Sequence, residues 1–189
     1  MQNVYSRIGR LFLVILFTLL LGCSEKQESG YSEEIIDAED GFTMKMAKVI
    51  SPAPDQAYMI LTDFNHFTEF MPHCSAAKVL ETEGNKTIIE TSRFIKFLGK
   101  NLAGKLEYHL FPNKIVIRSL NHPLADFKEE WSLEPHPGSK GTQVRYHSFS
   151  KMKIPMPDYM CQAWLRNTFK ETLAAVEARA GQSSAISDS

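Results

Sequence analysis

The feature of this sequence that most restricts its fold is a series of six short strand-like segments between residues 75 and 149. Apolar and polar residues alternate within them, and turn-forming residues separate each segment from the next. Phe127 and Trp131, for example, fall on one side of a strand, whereas Lys128 and Glu130 fall on the other. Short strands at this spacing predict a single antiparallel sheet. The predicted strands span residues 75–82, 86–96, 103–111, 114–120, 126–134 and 141–149.

A further strand and two short helices are predicted ahead of this series. Residues 42–50 alternate as a strand. Pro54 then fits the first turn of a helix over residues 54–62, because proline lacks the N–H that would have no partner there. A second short helix is predicted over residues 64–70, and Asp63 is expected to cap its first turn.

The last predicted element is a long helix over residues 158–180, which Asp158 begins and Gly181 ends. Its length is ~35 Å from the rise per residue, which is enough to cross a curled sheet. We therefore predict an α+β fold, in which a strongly twisted seven-stranded antiparallel sheet curls around a long C-terminal helix. Apolar residues recur along this helix at helical spacing: Cys161, Leu165, Phe169, Leu173 and Val176.

Residues 1–22 have the proportions of a signal peptide. Arg7 and Arg10 precede an apolar run that ends at Leu21. The run has about 11 residues, roughly half of what a membrane-spanning helix needs. An ordinary cleaved signal and a plain membrane helix remain alternatives to the interpretation that follows.

The end of this run, Leu20-Leu21-Gly22-Cys23, resembles the lipobox of bacterial lipoproteins. The resemblance implies cleavage after Gly22 and a lipid anchor on Cys23. Several acyl chains would give stable membrane attachment. Because Ser24 rather than aspartate follows the cysteine, the resemblance also implies a place in the bacterial cell envelope, at the outer membrane facing the periplasm.

The remaining chain divides into three parts by composition. Residues 23–41 are polar and acidic and are interpreted as a tether, with a short helix as the alternative. Residues 42–180 hold the predicted strands and helices and form the folded domain. Residues 181–189 are small and polar and are interpreted as a flexible tail.

Composition excludes several classes of function. The formal net charge is −1, so nothing indicates nucleic-acid binding. The six histidines show no metal-ligand spacing, and neither a glycine-rich phosphate loop nor a nucleophile elbow occurs. We therefore predict no metal and no cofactor. The sequence identifies no protein partner.

Two stretches resemble a known superfamily. The first is "DFNHFTEFMPHC" at residues 63–74, and the second is a Trp-x-Leu strand followed by a Gly-Thr-x-Val strand within residues 122–146. Together they resemble the START / Bet v 1-like (SRPBCC) helix-grip superfamily, in its coenzyme-Q-binding Coq10-like and polyketide cyclase-like branch. The resemblance covers about residues 42–180. The matching residues of the first stretch are Asp63, Phe67, Phe70, Met71, Pro72 and Cys74.

The resemblance implies an apolar cavity between the sheet and the last helix. Such a cavity holds a lipid, quinone, isoprenoid or other hydrophobic small molecule, which enters through loops at one end. The candidate lid segments are residues 94–102, 120–126 and 153–160, each of which carries apolar residues. The candidate gate residues are Phe97, Leu98, Leu124, Met156 and Tyr159. The other candidate ligand-binding residues are Tyr108, Phe127, Trp131, Tyr146, Met160 and Trp164.

Three classes of function remain open. A carrier needs only the cavity, a gate and proximity to lipid, and this is the favoured prediction. A cyclase or hydrolase would need a titratable group in the cavity, and Glu129 shares the Phe127 and Trp131 side of its strand. Glu129 could equally occupy a polar rim, so no catalytic residue is assigned. The third class is an interaction module whose convex sheet surface binds a partner, and a filled cavity would favour it.

Overall fold

The computed structural model describes residues 30–187, with side chains as far as residue 182. The predicted signal peptide and the lipidation site Cys23 lie outside the described residues. Residues from Ser32 onward form one compact unit. Among the described residues, no helix has both the length and the apolar character that crossing a membrane requires.

One antiparallel sheet accounts for the predicted α+β fold. Its strands follow the order β1-β2-β8-β7-β6-β5-β4-β3. Strand β2, near the start of the domain, therefore pairs with β8, the last strand. Gly41 permits this pairing, because a Cβ there would lie 2.3 Å from the Ser150 carbonyl oxygen. The strands are β1 (Ser32–Ala38), β2 (Gly41–Ile50), β3 (Cys74–Glu83), β4 (Lys86–Ile95), β5 (Lys100–Phe111), β6 (Lys114–Asn121), β7 (Ala125–Pro135) and β8 (Thr142–Met152).

Strand β1 corrects the predicted strand count, since the sheet has eight strands rather than seven. It lies within residues 23–41, which we predicted as a polar tether. Its alternation is hidden because the inward-facing Glu33 is charged. The Glu33 carboxylate accepts hydrogen bonds from Arg166 Nε at 2.7 and 2.9 Å. A partner 133 residues away therefore satisfies a charge that looks solvent-facing in the sequence.

The short helices follow β2 as predicted, with one change of detail. Helix α1 (Pro54–Leu61) is followed by a 3₁₀ turn (Phe64–His66) and helix α2 (Phe67–Phe70), so the second predicted helix has two parts. Asp63 makes no side-chain capping bond to it. The Asp63 carboxylate instead lies 2.6 Å from Nδ1 of His66.

Helix α3 (Asp158–Ser187) is the long C-terminal helix, and it continues into the predicted tail. Gly181 does not end it, because this glycine does not adopt the positive φ of a helix-terminating residue. Phe169 on its inner side packs against Trp131 and Tyr146, with ring centroids 5.5 and 5.4 Å apart. All five residues of the predicted apolar stripe are buried. Cys161 and the buried Cys74 are both free thiols.

Candidate functional site

A cavity of about 100 Å³ lies between helix α3 and the inner face of strands β4–β8. It exists because long side chains from both layers meet without filling the space between them. An apolar cavity of about 150 Å³ can hold benzene, so this partly open cavity has roughly the size of one small ring. Its wall combines aliphatic side chains with six aromatic ones: Tyr108, Phe127, Trp131, Tyr146, Trp164 and Phe169.

Five of the predicted ligand-binding residues line this cavity. They are Tyr108, Phe127, Trp131, Tyr146 and Trp164. Trp131 and Tyr146 also pack edge to face, with centroids 4.9 Å apart, and Phe169 contacts both. These rings form a rigid aromatic floor, because each is held by the other two.

The other six predicted residues do not line this cavity. Phe97 and Leu98 lie at the surface in a 3₁₀ turn (Lys96–Leu98), and Tyr159 is 70% exposed. Met156 and Met160 are half-buried. Leu124 is fully buried, but in a separate apolar cluster at one end of the cavity. Their part in a gate stays a prediction.

This cluster, which we call the lid cluster, is where the three predicted lid segments meet. Each segment contributes at least one residue, and strands β7 and β8 and helix α3 supply the rest. Several of its residues also line the cavity, so the cluster forms part of the cavity wall. Its members are Ile95, Leu102, Leu124, Ala125, Phe127, Met152, Ile154 and Trp164.

Polar contacts hold two of the lid segments together beside the lid cluster. The Lys153 backbone N–H donates to the Leu124 carbonyl at 2.8 Å. The Lys153 ammonium pairs with Asp126 at 2.6 Å and donates to the His122 carbonyl at 3.3 Å. Asp126 and Lys153 are both well exposed, so the ion pair adds little to a lid that is closed mainly by apolar contacts.

Glu129 is the acidic residue of the cavity wall. Its carboxylate accepts a hydrogen bond from Trp131 Nε1 at 3.4 Å and interacts with the hydroxyl of Tyr146. Burial raises the pKa of Glu129, although these hydrogen bonds and the charge of Arg93 oppose the shift. The structure therefore places Glu129 inside the cavity, where its carboxyl group could exchange a proton with a ligand.

Arg93 and His122 are two further polar residues of the wall, and sequence reasoning missed both. The Nε of Arg93 and the Nδ1 of His122 are buried without a hydrogen-bond partner. Burial, with the nearby charges of Arg93 and Lys153, lowers the pKa of His122 to about 4. The sequence does contain an indication that Arg93 faces inward. In β4 it lies two residues from each of the buried Thr91 and Ile95, and alternate residues of a strand share one face.

The described residues contain no group of three or more histidine, cysteine or acidic side chains arranged to hold a metal ion. The titratable side chains that line the cavity are those of Arg93, His122, Glu129 and the two tyrosines. Burial raises the pKa of both Tyr108 and Tyr146, which keeps their hydroxyls protonated as neutral donors.

Residues 50–177 match the family described as "Polyketide cyclase / dehydrase and lipid transport". This match covers more than half of the chain. The chain belongs to this family. Membership supports the predicted START-like superfamily and the helix-grip fold, with a curled antiparallel sheet and a C-terminal helix. It also supports a fold of the type that binds hydrophobic ligands.

Solved structures of several family-like proteins have the same fold. The Zhui aromatase/cyclase from Streptomyces sp. R1128 is 15% identical, with a TM-score of 0.65 over 74% of this chain and 93% of that one. A START superfamily protein from Mycobacterium smegmatis is 15% identical, with a TM-score of 0.66 over 74% and 97%. A STAR-related lipid transfer protein from Xanthomonas axonopodis is 16% identical, with a TM-score of 0.60 over 80% and 99%.

Among characterised proteins, the chain is 21% identical to the ribosome association toxin RatA of Rickettsia prowazekii. That match spans 136 residues, which are 70% of this chain and 92% of RatA. The proteins that this chain resembles are thus named as an aromatase/cyclase, a lipid transfer protein and a ribosome association toxin. Because a shared fold does not establish function, the function is inferred from the residues and the geometry of the cavity.

Proposed function

We propose that this protein binds and carries a hydrophobic small molecule, such as a lipid, quinone or isoprenoid, in the cavity between helix α3 and the sheet. The observation that carries the proposal is a mainly apolar cavity whose wall includes most of the lid cluster. Ligand pockets in proteins have this character, with apolar walls and a few placed polar groups. The family's description, which includes lipid transport, supports the same class of function.

The size of the cavity sets a condition on uptake. At about 100 Å³ it admits a single ring or a short chain, whereas small-molecule pockets are usually several times larger. A lipid, quinone or isoprenoid would therefore enter only when the lid segments move away from Trp164 of helix α3. Apolar contacts alone hold most of the lid cluster, so opening it does not require breaking a buried ion pair.

Native mass spectrometry tests the carrier proposal. The folded unit from residue 30 onward would be purified without detergent, measured intact and then extracted with solvent. We expect a co-purifying hydrophobic compound, which the extract would identify by class. An empty domain that takes up no added lipid, quinone or isoprenoid would contradict the proposal and favour the interaction module.

We also propose that the protein is held at the cell envelope by a lipid on Cys23. The lipobox-like sequence supports this proposal, together with the basic and short apolar run ahead of it. Cys23→Ser should move the protein from the membrane fraction to the soluble periplasmic fraction and abolish its labelling by palmitate. Ser24→Ala is the matched control and should remain membrane-bound. Membrane retention of Cys23→Ser would rule out the lipid anchor.

A second candidate function is an enzyme of the cyclase or hydrolase type, and Glu129 is the observation that favours it. A carboxyl group with a raised pKa inside an apolar cavity is suited to proton transfer. If the protein is such an enzyme, Glu129→Gln abolishes turnover of a bound ligand while leaving its binding intact. A carrier would show no turnover in either form.

A further inference from the structure

We propose that the cavity selects hydrophobic ligands that carry a carboxylate, and that Arg93 and His122 bind this head group. The inference rests on the proposed function, because it names the class of ligand that the same cavity takes. Its basis is geometric: the side chains of Arg93 and His122 line the same cavity, and each holds a buried nitrogen without a hydrogen-bond partner.

Arg93 supplies the charge. Its side chain lines the cavity, its Nε is buried without an acceptor, and no ion pair joins it to a carboxylate of the described residues. A buried donor left unpaired destabilises a folded protein, so such a group usually has a partner. An anionic acceptor would satisfy this donor best, because the planar guanidinium fork matches the two oxygens of a carboxylate.

Glu129 is not the hydrogen-bond acceptor for Arg93. Its carboxyl group is already held by Trp131 and Tyr146, and it is the one acidic side chain among the residues that line the cavity. Arg93 lies close enough to influence the ionisation of Glu129, Tyr108 and Tyr146, yet it contacts none of their oxygens by hydrogen bond. The Arg93 guanidinium and the Glu129 carboxyl group thus occupy the same cavity without pairing. The guanidinium can therefore bind an anionic group of a ligand.

His122 supplies the second donor. Its ring packs edge to face on Phe127, with centroids 5.4 Å apart, which fixes the ring at the lid end of the cavity. Gly104 makes room for it, because a Cβ at that position would lie 2.8 Å from Cδ2 of His122. A neutral imidazole with its proton on Nδ1 can donate to a second carboxylate oxygen.

The apolar part of the ligand would then occupy the remainder of the cavity. The aromatic floor of Trp131, Tyr146 and Phe169 suits a ring or an aliphatic chain. The ligand class that fits both the polar and the apolar part of the cavity is therefore an aromatic carboxylic acid or a fatty acid. Benzoate is a small probe that carries both a carboxylate and an apolar ring.

Calorimetric titration of the full chain, held in lipid nanodiscs, with benzoate, benzamide and toluene tests the proposal. We expect benzoate to bind about tenfold more tightly than benzamide, as a charge-assisted hydrogen-bond pair would give. Arg93→Met should remove this preference and leave the benzamide and toluene affinities within about twofold of the original. Arg93→Lys, which keeps the charge without the planar fork, should retain part of the preference.

Lys105→Met is the matched control, because it removes an exposed positive charge from β5 outside the cavity and should leave the preference unchanged. Equal affinities for benzoate and benzamide, with clear toluene binding, would overturn the carboxylate proposal and leave the carrier proposal standing. Failure of all three probes to bind would overturn both. A benzoate preference that survives Arg93→Met would also overturn the assignment to Arg93.

Discussion

At the scale of single residues, His122 links the stability of the domain to pH. Its folded-state pKa is about 4 and its unfolded value is near 6.5, so the unfolded chain takes up a proton first as pH falls. The stabilisation is complete above pH 6.5 and is lost progressively between pH 6.5 and 4. We expect the free energy of unfolding to drop by about 2 to 3 kcal/mol across that window.

Urea denaturation of the original chain and of His122→Asn between pH 4 and 7.5 measures this effect. The variant should lose most of the pH dependence assigned to His122. His147→Asn is the matched control, because His147 is exposed on the opposite face of β8 and should keep the full dependence. If His122→Asn and the original chain lose stability in parallel over this range, the buried neutral state of His122 is refuted.

Glu129 has the opposite dependence on pH. Burial raises its folded-state pKa above the unfolded value, so the native state holds the proton more tightly and stability falls as pH rises past the ordinary carboxyl pKa. Glu129→Gln removes this penalty. We expect the variant to gain stability relative to the original chain on going from pH 4 to pH 7.5, as measured by the same urea titrations. A stability difference that does not change with pH would show that Glu129 titrates like an exposed carboxyl group.

At the scale of secondary-structure elements, strand β1 is fastened to helix α3 by the ion pair of Glu33 with Arg166. The Glu33 side chain is 17% exposed, and two hydrogen bonds reach it from Nε. We expect a double-mutant cycle with Glu33→Gln and Arg166→Met to give a coupling free energy of about 1 to 3 kcal/mol. The exposed pair of Lys45 with Glu34 is the internal control and should give under about 1 kcal/mol. Equal couplings for the two pairs would contradict a fastening role for Glu33.

The same strand shows which elements the sequence could predict. Strands β3 to β8 have local alternation, so their positions were predicted to within a few residues. Strand β1 was hidden because the partner of Glu33 is supplied by a distant helix. Arg93 is different, because the alternation of β4 already places this charged residue on the inward side. Only the structure shows that the side chain lines a cavity.

The gate was harder to predict for a related reason. Apolar residues in loops mark the segments that meet at the lid, as the lid cluster shows, but they do not show which side chains turn inward. Leu124 is buried, whereas Tyr159 is mostly exposed, although both are apolar residues of predicted lid segments. Their directions are set by contacts between segments some 30 residues apart, such as the bond from Lys153 to Leu124.

At the scale of the whole molecule, the carrier proposal depends on how the lid cluster opens. Trp164 belongs to that cluster and also lines the cavity, so it lies between a long ligand and the outside. A small ligand needs little opening, whereas a long chain must displace the Trp164 ring. Removing the ring should therefore speed the entry of long ligands selectively.

We predict that Trp164→Ala raises the association rate of dodecanoate about tenfold and that of benzoate by less than about twofold, as expected when opening limits uptake. The chain has two tryptophans, so Trp131 in the cavity wall remains as the fluorescence reporter for stopped-flow mixing. Phe149→Ala is the matched control, because Phe149 is an exposed aromatic residue of β8 outside the cavity wall and the lid segments, so that both rates should stay unchanged. An equal change in the two rates would mean that Trp164 affects the whole cavity rather than its entrance, and the lid would then have to be sought elsewhere around the cavity.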